Sequence, residues 1–397
     1  MMASPLVRKS LTRLFPNNSS SFFICKCKSY NVYYYFSTSN SKEKQPPPIV
    51  NTTGRGTATV SDFLLHRHHF SPEATKQVAS VLPLIKNPHK SDSLLSFLRN
   101  SGFSNPQLEK TVKSRPELLS ADLDKIIKPK IKIFQDFGFS PSDIPEIISK
   151  EPLVFHCSAN NRIIPALSVL NGLLGSVPEV AKLLKLSGWF LVLDLEKTLV
   201  PNVEFLKSCG ISMDQITKLI YTFPRFFLHK PQVMKTFVDK ADAMGVDRSS
   251  GMFIHAARVA GSMTNETWEL KLKTLRDLGF SEDDILRAFR NVPFVFAVSA
   301  KKIREVTELL LGTGKFDMSC IVNYPTSLLY SIEKRYKPRI QVLTILEEKN
   351  LIKKWPSLGT FHLLSDAKFF NKFVHPHLNE VGKVYYGIGE KSSAAKE

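Results

Sequence analysis

The chain has 397 residues, 43% of them hydrophobic and 23% charged, a balance that excludes an intrinsically disordered protein. Its 54 Lys and Arg against 36 Asp and Glu leave a formal charge of +18, which favours a polyanionic partner, nucleic acid or an anionic membrane surface. No apolar run is long enough for a membrane span, and none of the five cysteines has a Cys-x-x-Cys or Cys/His spacing that would hold zinc.

The N-terminus is set apart by its charge. The first 42 residues contain no acid, are rich in serine, and carry Arg8, Lys9 and Arg13 among Leu6, Val7, Leu11, Leu14 and Phe15, the composition of an organellar transit peptide. The stretch Tyr33–Ser39 is similar to the region around a mitochondrial processing site, so a mitochondrial address is expected, with the chloroplast as the alternative. The apolar run Phe22–Cys25 is too short for a secretory core. The chain therefore divides into a disordered transit peptide over 1–45, a linker over 46–60, a folded helical-repeat domain over 61–380 and a disordered tail over 381–397. Without the first 60 residues, which hold eight basic residues and one acid, the remainder still has 46 basic and 35 acidic residues, a net +11. At the start of the domain His66, Arg67, His68 and His69 precede Ser71-Pro72, a helix start, and read as an exposed loop in preference to a metal site or pH switch.

From Leu94 to Pro338 one phrase of about 35 residues recurs seven times: an apolar run, a glycine, a second run, then a proline followed by bulky apolar residues. The glycines fall at Gly102, Gly138, Gly175, Gly210, Gly245, Gly279 and Gly312, and the prolines at Pro116, Pro152, Pro224, Pro293 and Pro325 follow their glycine by 13 or 14 residues. Self-similarity at this period marks a solenoid, in which each unit buries its apolar face against its neighbours. The expected fold is all-α, a superhelical solenoid of about seven to eight helical repeats of roughly 35 residues.

The unit that begins at Pro129 shows why. Proline suits the first turn of a helix, where its missing N–H would have no partner. Ile131, Phe134 and Phe137 follow, and Gly138 supplies the left-handed residue that ends the helix. Ser140, Pro141 and Asp143 start a second helix with Ile144, Ile147 and Ile148 on one stripe. Pro152 stops it, and Leu153, Val154 and Phe155 plug the gap beneath the pair in a tight turn or 3₁₀ segment. Aromatic residues at these closures are read as core in preference to base-stacking platforms, because they recur at one phase beside other large apolar residues. Two units depart: the third has Gly188-Trp189 in place of the proline and the fifth has Val259-Ala260-Gly261, substitutions expected to bend or loosen the array. Cys157, Cys209 and Cys320 are isolated and read as small apolar filler.

The phrase resembles the mitochondrial transcription termination factor (mTERF) family: a helix ended by Leu-Gly-Phe or a variant, a second helix, then x-Pro-x-Leu/Phe-Leu/Phe. The matching pieces are Phe137-Gly138-Phe139, Cys209-Gly210-Ile211, Met244-Gly245-Val246 and Leu278-Gly279-Phe280, with Arg115–Leu119, Glu151–Phe155, Phe223–Phe227 and Val292–Phe296 as the proline pieces. The resemblance covers roughly 60–380, including a segment Phe361–His377 similar to the family's terminal cap. It implies a solenoid whose basic groove holds double-stranded DNA or, in some members, RNA, a non-enzymatic role in organellar transcription termination, initiation or intron splicing, and membership of the plant organellar branch.

A polyanion lying along a repeat protein calls for basic residues at one phase of the repeat. Nine to twelve residues beyond each proline position stand Lys125 and Lys128, Arg162, Lys197, Lys235, Lys271, Lys302 and Arg304, and Lys334, Arg335 and Lys337, so that all seven units contribute. Lys128, Arg162, Lys197, Lys235, Lys271, Arg304, Arg335 and Lys337 are the candidate nucleic-acid contacts, expected to precede or open the first helix of each unit and to hold phosphate more than to read bases. No catalytic residue, metal, cofactor or small-molecule substrate is expected, and the chain is expected to act as a monomer on organellar DNA or RNA. The alternatives are a simply solvated basic face, an RNA-binding intron-splicing factor, and a HEAT-like protein scaffold without nucleic acid; a pentatricopeptide-type single-strand RNA binder is disfavoured by the glycine-then-proline phase and the missing Pro-Asp-x-x-Thr-like opening.

Overall fold

The computed structural model describes residues 58–393, so the expected transit peptide over 1–45 and nearly all of the expected linker over 46–60 lie outside the described residues. Ala58–Thr59 pairs antiparallel with Leu84–Ile85, the one strand pair among the described residues. Everything else is helical, an all-α helical-repeat solenoid.

The left-handed turn sets the repeat. Every positive-φ residue described occupies the same place, between the two helices of a pair: His69, Gly102, Gly138, Gly175, Gly210, Gly245, Gly279, Gly314 and Asn350, spaced 33 to 37 residues apart. In the seventh glycine unit the turn residue is therefore Gly314 (φ 65°), and Gly312 is the last residue of a helix. At the two ends the position is held by His69 (φ 57°) and Asn350 (φ 58°), residue types that tolerate this region, so a search for glycine alone passes over both end turns.

By its internal contacts the chain divides after Pro231. The first body holds five pairs: α1 (Val60–Asp62, continued by a π turn over Phe63–Arg67) with α2 (Pro72–Val81), α3 (Pro88–Asn100) with α4 (Asn105–Ser114), α5 (Lys128–Phe137) with α6 (Asp143–Lys150), α7 (Ile164–Leu174) with α8 (Val177–Leu186), and α9 (Leu199–Ser208) with α10 (Met213–Thr222). The second body holds α11 (Pro231–Ala243) with α12 (Phe253–Ala260), α13 (Asn265–Asp277) with α14 (Glu282–Asn291), α15 (Ala300–Gly312) with α16 (Met318–Asn323), and α17 (Lys337–Glu348) with α18 (Leu358–Leu363), followed by α19 (Asp366–Phe369) and α20 (Leu378–Ser393). The chain reaches Ser393 as helix, beyond the expected end at 380, because Val381 on α20 is fully buried.

Proline-led 3₁₀ segments close the units at Pro116–Ser120, Pro152–His156, Pro224–Leu228, Pro293–Ala297 and Pro325–Leu329. Their second and third residues after proline point inward: Leu118 and Leu119, Val154 and Phe155, Phe226 and Phe227, and Val295 and Phe296 are all buried. Phe296 packs edge-on to Phe289 at 5.0 Å and against Trp268 at 4.9 Å, so the closing aromatics are core. Helices of eight to thirteen residues gain little stability alone; this interlocked burial, worth about 1.5–3 kcal/mol per large side chain, is what holds them.

The two departing units pack closely at their altered positions. The third keeps a closing 3₁₀ turn, Gly188–Leu191, in which a Cβ on Gly188 would lie 2.3 Å from the Cβ of Glu151. The fifth has no closing turn: α12 runs through Gly261 almost directly into α13, and a Cβ on Gly261 would lie 2.6 Å from the Phe237 ring. Neither glycine leaves room for a side chain, so each marks a close approach and not slack in the closure.

Candidate nucleic-acid interface

The two helices of a unit differ in the charge of their first turns. Second helices follow the helix dipole: acids open α6 (Asp143, Glu146), α8 (Glu179), α10 (Asp214) and α14 (Glu282, Asp283, Asp284), and bases close α4 (Lys113), α6 (Lys150), α8 (Lys185) and α14 (Arg290). First helices also close with bases, Arg99, Lys207, Lys240 and Arg276, but their first turns differ. Apart from Glu266 in α13, no first helix from α3 onward has an acid in its first turn, and Lys90, Lys128, Lys301, Lys302 and Lys337 occupy first turns instead. A cation at the positive end of a helix costs about 0.3–1 kcal/mol, a penalty that an anion bound there removes.

The eight candidates fall into four pairs. Lys128 and Lys337 open α5 and α17, each half-exposed and paired with a carboxylate one turn back, Asp124 at 2.7 Å and Glu333 at 2.6 Å. Arg162 lies on a π turn before α7 and Lys197 in the turn before α9; both reach Asp194 at 3.4 Å, so these two cations are brought together. Lys235 and Arg304 sit in the second turn of α11 and α15, exposed, the latter 3.9 Å from Asp277. Exposed pairs of this kind are worth about 0–1 kcal/mol and yield readily to a phosphate.

Two of the eight are committed to the fold. Lys271 is buried in the middle of α13 and its ammonium donates to the Val298 carbonyl; burial depresses its pKa. Its displacement follows from the missing closure in the fifth unit, which lets α13 start at Asn265 and carries Lys271 past the helix entrance. Arg335 is half-buried on the π turn before α17, donates to the Leu364 carbonyl at 2.5 Å, and lies 4.3 Å over the Tyr330 ring.

Lys271 belongs to a second recurring device. In most units a donor on the first helix reaches the carbonyls at the end of its own closing segment. Ser91 donates to Leu119 at 2.6 Å, Lys130 to Phe155, Asn202 to Phe227 at 2.9 Å and His229 at 2.7 Å, and Lys302 to Leu329 at 2.6 Å. In the last unit Arg339 donates to Phe361 and Leu364, both at 2.7 Å, and to Asp366 at 2.6 Å. Burial lowers the pKa of Lys130, Lys302 and Arg339 as it does that of Lys271. Three of these donors follow the opening proline directly, in Pro129-Lys130, Pro201-Asn202 and Pro338-Arg339, a signal present in the sequence; the third unit has Pro165-Ala166 there and no donor.

The histidine cluster is not an exposed loop throughout. His66 and Arg67 are exposed on the π turn and His69 is the left-handed turn residue, but His68 is buried beside Asp92 at 3.2 Å. Burial, outweighing Asp92, lowers its pKa. No single helix among the described residues is long and apolar enough to cross a membrane.

Comparison with known proteins agrees with this architecture. The mTERF family profile matches residues 44–242 and, overlapping it, 152–370, most of the chain. No curated protein matches it. A family built from helix pairs with closing turns, matched by its profile across two long overlapping stretches, accounts for the repeats seen here: the chain belongs to the mTERF family of nucleic-acid-binding regulators of organellar gene expression.

Proposed function

We propose that the protein binds double-stranded DNA of an organelle through the entrances of its first helices, contacting the phosphate backbone, and thereby regulates transcription termination or another step of organellar gene expression without catalysing a reaction. The observation that carries this reading is the recurrence of solvent-accessible cations, Lys128, Lys197, Lys235, Arg304 and Lys337, at or near the entrances of successive first helices. Second helices obey the dipole and zip to their neighbours, as in Lys185 with Asp143 and Glu146, and Tyr221 with Glu179 at 2.5 Å. Lys128 and Lys337 stand half-exposed near first-helix entrances, in ion pairs with Asp124 and Glu333 that are weak enough for a phosphate to replace. The N-terminal composition favours a mitochondrial address, with the chloroplast and the plant branch of the family as the accompanying expectation.

The test is a salt titration of binding to a 30-base-pair duplex and to single-stranded RNA of the same sequence. Six to ten phosphate contacts weaken binding about 10³- to 10⁵-fold between 50 and 200 mM salt. Reversing Lys128, Lys197, Arg304 and Lys337 to Glu together should weaken binding at least about tenfold and flatten the salt dependence, with the circular dichroism unchanged. Arg335 and Lys271 are unsuitable for this purpose because both support carbonyls of the fold. Affinity that ignores salt and these reversals would refute the interface, and tighter binding to the RNA would move the assignment to RNA.

A further inference from the structure

The contact between α7 and α9 differs from its counterparts in several independent ways. An open cleft of about 230 Å³ separates the two helices, walled by Ser168, Gly172 and Leu173 on α7 and by Val200 and Val203 on α9. Nothing lies within 4 Å of where a Gly172 Cβ would stand. α7 carries no charged residue, and Ile164 and Val200 are each 40% exposed. The donor that ties a first helix to its closing segment elsewhere is replaced by Ala166, and a small polar cavity of about 50 Å³ lies beside it. α9 itself starts without a side-chain cap, on Thr198 with φ −122° and ψ −70°. By contrast α11 and α13 are tied by Lys240 to Asn265 at 2.8 Å. At the α7–α9 contact the polar link is at the entrances, where Arg162 and Lys197 share Asp194.

We infer that this contact is a compliant joint within the first body, and that a bound polyanion closes it. The inference extends the proposed interface, on which its binding half rests. The cleft walls, apolar apart from Ser168 and Glu204, gain free energy when brought together, and the polar link at the entrances is an ion pair that a stronger anion can replace. Arg162 and Lys197 are held together by Asp194; a phosphate that replaces Asp194 resets their spacing and draws α9 toward α7. The unit whose closing turn meets Glu151 at Gly188 with no room for a side chain thus leaves its freedom in the first-helix layer.

Hydrogen exchange on the full chain tests the joint directly. In the free protein the amides of α7 and α9 should exchange roughly tenfold faster than those of α5 and α6, and a 30-base-pair duplex should slow them. Gly172→Leu fills the cleft and should slow exchange in both helices, whereas Gly172→Ala raises helix propensity alone and should slow α7 only. Should Gly172→Leu fail to fold, Ala166→Lys, which supplies the missing donor, should slow exchange in α7 and its closing turn. Equal protection of α7, α9, α5 and α6 in the free protein, or identical behaviour of the two Gly172 variants, would overturn the joint. If the free-state differences hold and the duplex and the matching RNA both leave exchange unchanged because neither binds, the joint stands and the nucleic-acid reading fails.

Discussion

Lys128 and Lys130 stand two positions apart on one helix and do different work. The first looks outward from the entrance of α5 and pairs with Asp124; the second is buried and donates to the Phe155 carbonyl. The helical period separates them, since residues two apart point to different sides of the cylinder. Lys130→Met keeps the aliphatic stem and removes the donor, leaving a buried carbonyl unpaired. It should cost about 1–3 kcal/mol of unfolding free energy, read as a lowered denaturation midpoint, with nucleic-acid affinity of the folded protein unchanged. Lys128→Met should do the converse, weakening binding while leaving the midpoint within about 0.5 kcal/mol. Basic residues at one repeat phase are visible in the sequence, but which of them face solvent is not. Lys271 shows why: one absent closing turn shifts the helix start, and a shift of a few residues turns a side chain from the surface to the core.

Among the elements, the turn between paired helices was the most legible, because a left-handed residue after a helix selects glycine by simple sterics. Six of the expected glycines are in place, while Gly312 gives way to Gly314 two residues on. The pair offers a clean comparison. Gly314→Ala should destabilise by about 1–2 kcal/mol, the cost of a Cβ in the left-handed region, whereas Gly312→Ala, at a helix end with open space around it, should be neutral or stabilising by up to about 1 kcal/mol in thermal unfolding. Helix entrances were the least legible element. They are π turns before α5, α7 and α17 but short caps before α13 and α15, so equal spacing from a proline lands at different depths in the helix. The donors to the closing carbonyls went unread for a related reason: Ser, Lys, Asn and Arg share the role, and no single residue type signals it.

For the molecule as a whole, acid is the expected weakness. Each body buries a histidine: His68 in the first, and in the second His362, whose Nδ1 donates to the Leu358 carbonyl at 2.6 Å while Nε2 accepts from Thr326 at 2.8 Å. Burial lowers the pKa of both below the ordinary 6.5. Above pH 6.5 neither the folded nor the unfolded chain protonates them and stability is full; below it the unfolded chain takes up protons that the folded chain refuses. Stability should therefore fall as pH drops from 7 toward 5, by up to about 1.4 kcal/mol per pH unit for each histidine, in denaturant titrations at fixed salt. A midpoint that holds or rises over this range would contradict the buried neutral assignment.

The left-handed positions also amount to a ruler along the chain. Because the same backbone state returns from His69 to Asn350 at intervals of 33 to 37 residues, any two neighbouring marks bracket one complete set of second helix, closure and next first helix. Cutting at one mark and rejoining at the next deletes a whole unit and leaves the surviving segments in phase. A lengthened or shortened footprint can thus arise by duplication or loss of a single such interval, whereas a deletion of half an interval would set a first helix against the face meant for a second. The segment between Gly245 and Gly279 is the exception, since it carries no closure of its own and depends on Gly261 meeting the Phe237 ring.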